Sequence, residues 1–237
     1  MYLTRLRLNT ARSGARRLLS SPQVIHAAVL SGFPELLPTA AHTPRVLWRL
    51  DRDAAAEVLL YIVSPHRPDL THLVEQAGWP AAAASGTPGW QTHAYAPFLE
   101  RLEKGAVWNF RLTANPVHYA RTRDDQATTK RTAHTTPRHQ LQWLLRRQGA
   151  GGFRIAGASP AEGAAGQAGE AQVVVRDQRT VNFAKKGAGG RRVTLATVTY
   201  DGRLEVTDPD ALRHVLTAGI GRAKAYGCGL MTLAPVG

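Results

Sequence analysis

Cysteine, acidic side chains and long apolar runs are scarce in this sequence, and each shortage removes a class of protein. The single cysteine, Cys228, excludes an internal disulfide and any zinc site built from several cysteines; between Gly227 and Gly229 it reads as a small packing residue in a strand. No apolar run approaches the roughly eighteen residues that span a bilayer. The opening M-Y-L-T-R-L-R-L-N alternates in polarity where a signal peptide would carry an apolar core, so the chain is expected in the cytoplasm with no membrane partner. None of the nine histidines has H-E-x-x-H or paired-ligand spacing, and Asp51/Asp53 and Asp124/Asp125 read as isolated acidic pairs in turns. Neither a metal nor a small-molecule cofactor is therefore expected. A G-x-S-x-G elbow and a cysteine–histidine nucleophile are missing too.

What is present is basic. Thirty Lys and Arg against seventeen Asp and Glu give 237 residues a formal charge of +13, which favours a polyanionic partner, nucleic acid ahead of membrane. A basic proteome with arginine-rich surfaces is the alternative source of that charge. Hydrophobic residues make up 43% of the chain, enough for a globular core in one large or two small domains.

The order of elements suggests α+β architecture. Tyr2, Leu6 and Leu8 share one face of an opening strand and Arg5 and Arg7 the other. Ser21 caps and Pro22 begins a helix running to about Ser31. Residues 45–50 and 57–63 read as strands, 69–77 as a helix and 91–96 as a possible strand, the order of a ferredoxin-like unit. Turn-rich residues 80–89 lie close to a domain boundary, giving an N-terminal domain over 1–100 and a C-terminal one over 105–237. In the second, Trp108, Phe110, Leu112 and Ala114 alternate in a strand ended by Pro116; a helix follows from Thr136 and Pro137 to Gly149. Residues 156–170 read as a flexible loop, and 171–186 with 191–206 as a hairpin with a charged tip. Asp208 and Pro209 open a last helix that Gly219 closes before a final strand. The expectation is two tandem ferredoxin-like (RRM-type) domains, with antiparallel sheets and helices on one face.

The closing G-I-G-R-A-K-A-Y-G-C-G places four glycines and two cations in eleven residues. Gly219, Gly221, Gly227 and Gly229 allow backbone amides to converge on an anion, with Arg222 and Lys224 adding charge. A plain turn from helix to strand fits the same spacing. Neither G-x-G-x-x-G nor G-x-x-x-x-G-K-[ST] is matched, so a mononucleotide fold is disfavoured. The preceding helix ends here, and its dipole repels phosphate, so attraction must come from the loop amides, from Arg222 and Lys224, or from one helical turn starting after Gly221.

His26 lies about 130° around its helix from the apolar face centred near Ile25 and Ala28, which points it away from the core. There it is either a solvated surface histidine or, if a substrate covers it, a general acid or base. With RNA as the polyanion one histidine can suffice, because the 2′-hydroxyl is a built-in nucleophile. It displaces the 5′-oxygen to leave a 2′,3′-cyclic phosphate without a metal.

These residues resemble the CRISPR repeat-processing endoribonucleases of the type I-E Cascade complex, the CasE branch. The likeness rests on M-Y-L-T-R-L-R-L-N, the histidine of the first helix, R-L-T-A-N-P at 111–116, D-G-R-L-E-V-T-D-P at 201–209 and the terminal G-I-G-x-x-K-x-x-G-C-G-L. The resemblance implies tandem ferredoxin-like domains and metal-independent cleavage of precursor CRISPR RNA at the base of its repeat stem-loop. It also implies retention on the product with the other Cascade subunits. By position, His26 is the catalytic histidine, the glycine loop comprises Gly219, Gly221, Lys224, Gly227 and Gly229, and the stem-contacting hairpin falls on 171–192. Arg176, Arg179, Lys185, Lys186, Arg191 and Arg192 are its candidate RNA contacts, unless the hairpin is merely solvated. Gln23 stands where some relatives carry tyrosine; it can orient a phosphate or hydroxyl but is a poor proton donor. Arg222, where some relatives have proline, adds a phosphate contact. The rival reading is a structural RNA-binding subunit without catalysis, and a DNA-binding role is third.

Overall fold

Alternation builds the first strand as expected: in β1 (Tyr2–Leu8) Thr4, Leu6 and Leu8 are buried while Arg5 and Arg7 stay exposed. The structure, a computed structural model, describes residues 1–34, 44–52, 57–79, 89–121, 129–157, 171–184 and 192–237. Lys185, Lys186, Arg191, Asp53, Asp124 and Asp125, the loop expected at 80–89 except Gly89, and most of that at 156–170 lie outside the described residues.

A short helix that the sequence did not announce, α1 (Ser13–Leu19), precedes α2 (Pro22–Leu30). No side chain caps α1; instead Arg12 donates to the carbonyls of Val74 and Gly78 at 3.1 Å, pinning its start to the end of α3 (Thr71–Ala77). Strands β2 (Leu47–Arg52), β3 (Val58–Ser64) and β4 (Trp90–Ala94) join β1 in an antiparallel sheet of order β2-β3-β1-β4. A one-turn helix, α4 (Ala96–Glu100), leads to β5 (Val107–Ala114).

The second half then follows. Its elements are β6 (Val117–Arg121), β7 (Thr129–Ala133), α5 (Pro137–Gln148), β8 (Phe153–Ile155), β9 (Val173–Ala184), β10 (Arg192–Val206), α6 (Pro209–Ala218) and β11 (Met231–Pro235). Its main sheet runs β11-β5-β10-β8, with β9 on the far part of β10, while β6 and β7 pair separately. In each sheet the opening strand sits centrally between the last and the third. The chain is thus mixed α+β with two antiparallel sheets, consistent with tandem ferredoxin-like units. Among the described residues no helix is long and apolar enough to cross a membrane.

Three local expectations need correction. Thr136 is the N-cap of α5, its carbonyl accepting the Gln140 amide at 3.0 Å, but its hydroxyl accepts no helix amide and lies 2.8 Å from His139 Nδ1. Cys228 precedes β11 instead of lying in it, packed with Phe183 and Leu195, and burial pushes its thiol up to about 12. Asp51 is no turn residue. It sits on β2, where Arg49 and Arg111 both bind its carboxylate.

Arg49 ties the halves together. Only 1% exposed, it commits all five N–H donors: Nε and Nη2 to Asp51 at 2.6 and 2.9 Å, Nη1 to the carbonyls of Arg111 and Leu230 at 2.8 and 3.1 Å, and Nη2 again to Thr232 Oγ1 at 2.8 Å. Leu47, two residues earlier, joins the core of the second half with Phe110, Leu112 and Met231. Arg49→Ala leaves Asp51 without its principal partner and takes a charged donor from the Arg111 and Leu230 carbonyls, so urea denaturation should register a loss of about 3–5 kcal/mol.

Candidate active site

Helix α2 forms as its ends dictate. Ser21 Oγ accepts the Gln23 amide at 3.3 Å, Pro22 fills the first turn, and Ile25 and Val29 anchor the inner face. His26 is half-buried, and its Nδ1 is buried with no hydrogen-bond partner among the described residues. The expectation of an outward, solvated ring is therefore half met: the outer side of α2 is partly sheltered. Burial, and secondarily the charge of Arg45, hold the imidazole below its usual range. A histidine so placed stays neutral near pH 7 and can accept a proton. Gln23, one turn earlier on the same helix, is half-buried as well.

The turn Lys224–Tyr226 packs against α2, so histidine helix and glycine loop occupy one region. All four loop glycines have positive φ, at 76°, 78°, 81° and 91° for Gly219, Gly221, Gly227 and Gly229. What comes close to their bare backbone is the protein itself. A Cβ on Gly219 would stand 2.9 Å from Leu47, on Gly221 2.8 Å from Trp143 and on Gly227 2.6 Å from Trp48. The loop thereby wraps the edge strand β2, meeting Leu47, Trp48 and Arg49 in succession. The amides of Gly219 and Gly229 are engaged internally, donating to the Val215 and Thr113 carbonyls at 2.9 and 2.7 Å.

The cations divide their work. Lys224 Nζ donates to the Ala218 carbonyl at 2.7 Å, offsetting the negative end of α6 that stood against an anion here. Burial, then Arg45, depress its pKa. Arg222 is exposed and donates to the Tyr119 hydroxyl at 2.8 Å, joining the loop to β6. In the hairpin, Arg176 pairs with Asp201 at 2.5 Å and with Asp177 at 3.3 Å, Arg179 lies 3.9 Å from Asp177, and Arg192 is exposed at the start of β10.

Arg45 was missed by the sequence reading. Its backbone amide donates to the Thr217 carbonyl at 3.4 Å, and its charge reaches both His26 and Lys224. It lines a cavity of about 560 Å³ with Arg222, Lys224, Asn115 and Tyr226, and no carboxylate appears in that lining. Nothing in R-V-L-W-R-L distinguishes this arginine from a surface cation. Among the described residues no group of three or more His, Cys, Asp or Glu side chains could hold a metal ion.

Two outcomes follow from this geometry. Gly227→Ala forces a Cβ against Trp48 at a left-handed backbone position, and thermal or urea denaturation should show a loss of about 1–3 kcal/mol from the backbone and a similar amount from overpacking. Arg45→Ala removes a like charge from His26, so the imidazole pKa rises towards its ordinary value. A histidine titration by NMR should show that upward move.

The sequence and the fold both have known relatives. A family profile described as "CRISPR associated protein" matches residues 1–235. The CRISPR-associated endoribonuclease Cse3 of Thermus thermophilus is 32% identical over 237 residues, covering 99% of this chain and 100% of the relative. The CRISPR system Cascade subunit CasE of Escherichia coli is 27% identical over 200 residues, covering 80% of this chain and 89% of the relative. A solved structure of the CRISPR endoribonuclease Cse3 bound to a 19-nucleotide RNA matches with a TM-score of 0.74 at 30% identity, covering 99% of this chain and 100% of that one. The chain belongs to the Cse3/CasE family of CRISPR-associated endoribonucleases, and does so over its full length.

Proposed function

We propose that this chain is a metal-independent endoribonuclease that cuts precursor CRISPR RNA at the base of the repeat stem-loop and remains on the product as a Cascade subunit. The observation that carries the reading is a half-buried His26 with an Nδ1 unpartnered among the described residues, within the field of an Arg45 that also lines a cavity of three cations and no carboxylate. Relatives named as an endoribonuclease and as a Cascade subunit support it.

In this reading His26 takes the proton of the 2′-hydroxyl, the oxygen attacks the adjacent phosphorus, and the bond to the 5′-oxygen breaks. The products are a 2′,3′-cyclic phosphate and, once that oxygen gains a proton, a 5′-hydroxyl. Arg45 and Arg222 offset charge on the nonbridging oxygens, and Gln23 orients the phosphate or the hydroxyl. The two sheets act as tandem ferredoxin-like domains, residues 1–100 and 105–237, whose helices cover one face of each sheet. Arg176, Arg179, Lys185, Lys186, Arg191 and Arg192 on the hairpin follow the phosphates of the stem, because an A-form major groove offers side chains little else to read. Gly221 and Gly227 keep the loop close enough for its remaining amides to approach the strand.

A second reading, a non-catalytic RNA-binding subunit, is favoured by one observation: Lys224 and Arg176 spend their charge inside the protein, on Ala218 and Asp201. One assay separates the two. The host's repeat hairpin is incubated with the protein in EDTA, beside a copy with a 2′-deoxy sugar just 5′ of the break. Cutting of the all-RNA hairpin alone supports the nuclease, whereas tight binding with both intact supports the subunit. His26→Ala should abolish cutting and leave affinity nearly unchanged; a large loss of binding would recast His26 as a contact residue.

A further inference from the structure

The hairpin strand β9 carries an irregularity beside the candidate site. Arg179 pairs with Thr197 and Arg176 with Thr199, so Asp177 and Gln178 together stand opposite Val198 alone. This is a β-bulge, a device that re-aims side chains and recurs next to functional sites. Asp177 takes φ of 52°, one of two non-glycine residues with positive φ among those described. Gln178 is spoken for, accepting from Gln140 of α5 at 3.1 Å. Asp177, paired at its edge with Arg176 at 3.3 Å, lines a cavity of about 150 Å³ together with Arg179 and Arg52.

The cavity lies between the two halves of the molecule. Pro22 and Ile25 of α2 form part of its wall, so the helix that carries His26 also bounds it. Tyr226 of the glycine loop closes another side. Trp48 contributes an indole N–H that is buried and has no acceptor among the described residues. Apolar walls with a polar rim suit a flat heterocycle. The rim has a distinct character: the Asp177 carboxylate accepts only, and the Arg179 guanidinium, 3.9 Å away, donates only. Arg52 sits in the same field, its pKa depressed by partial burial and by Arg179 and raised by Asp177. The cavity therefore holds two cations and one anion, which leaves an excess positive charge for a phosphate.

Among nucleobases guanine answers that rim most fully. Its Watson–Crick edge presents two neighbouring donors, N1–H and the N2 amine, to a carboxylate, and the O6 acceptor beside them to a guanidinium. Adenine and cytosine offer one amine and uracil one imide. Sequence-specific RNA recognition falls on unpaired bases read along this edge. Resting on the RNA-processing reading above, we infer that the cavity is a subsite for one unpaired guanine of the substrate strand, held between Asp177 and Arg179, which then meets this base in place of a stem phosphate, while Arg52 meets the nucleotide's phosphate.

The test uses the host's repeat RNA, with each unpaired guanosine replaced in turn by inosine, which lacks only the N2 amine. In single-turnover cleavage the wild-type protein should be slowed about tenfold or more by inosine at one position, the scale of a charge-assisted hydrogen bond. Asp177→Asn should be slow on the unmodified RNA and indifferent to that inosine; asparagine tolerates positive φ and the solvent-exposed pairs with Arg176 and Arg179 contribute little, so melting should be nearly unchanged. A second readout is the Trp48 indole N–H resonance, assigned with Trp48→Phe, which should move with guanosine 5′-monophosphate more than with inosine 5′-monophosphate. Normal cutting with no inosine response, a response that persists in Asp177→Asn, or an indole signal indifferent to both nucleotides overturns the subsite and leaves the nuclease standing. Failure to cut any repeat RNA defeats the nuclease reading and the subsite with it.

Discussion

A guanidinium sealed inside a protein holds its surroundings still, because every donor must stay satisfied or the desolvation cost falls due. Arg49 imposes that constraint on the whole chain. Its side chain lies on the first sheet and its acceptors include Arg111 and Leu230, 62 and 181 residues further along. Once β2 is fixed to β5 and the approach to β11, the neighbouring residues have fixed destinations. Leu47 meets Gly219, and Trp48, on the opposite face of the strand, meets Gly227. The edge of the first sheet is covered in this way by the closing loop of the second half, and that loop lies against the helix carrying His26.

The loop's glycines therefore have a structural task beside any contact with substrate. Positive φ lets the backbone fold around two tryptophans and a leucine without a Cβ in the way. Charge is arranged on the same principle. Lys224 neutralises the end of α6, which would otherwise oppose an anion, and this frees Arg45 and Arg222 to set the sign of the cavity. His26 feels the result: partly desolvated and beside Arg45, it is kept in its proton-accepting form.

Strands with clean alternation and helices with explicit caps were legible before any coordinates. β1, β5, α2 and α6 carry both periodicity and boundary residues, and Asp208 accepts two backbone amides as its position implies. Elements stabilised from a distance were not legible. Helix α1 owes its start to Arg12 reaching α3, β8 has only three residues, and β6 with β7 forms a ribbon of basic and threonine-rich sequence. Within R-V-L-W-R-L the two arginines look alike. One is almost fully buried and the other lines the cationic cavity, a difference set by partners far along the chain. The histidine, its helix and the glycine loop could be named from the sequence, but Arg45 and the bulge at Asp177 could not, since both depend on tertiary packing.

Proton transfer by His26 depends on where the substrate sugar lies. The most direct measurement is a structure of the protein with repeat RNA blocked by a 2′-deoxy sugar at the cleavage position. C2′ of that sugar should lie within about 4 Å of a His26 ring nitrogen, the reach of a hydrogen bond to the missing hydroxyl, with the adjoining phosphate facing Arg45. An RNA that follows the hairpin but passes α2 with its sugars turned away from His26 would contradict that transfer.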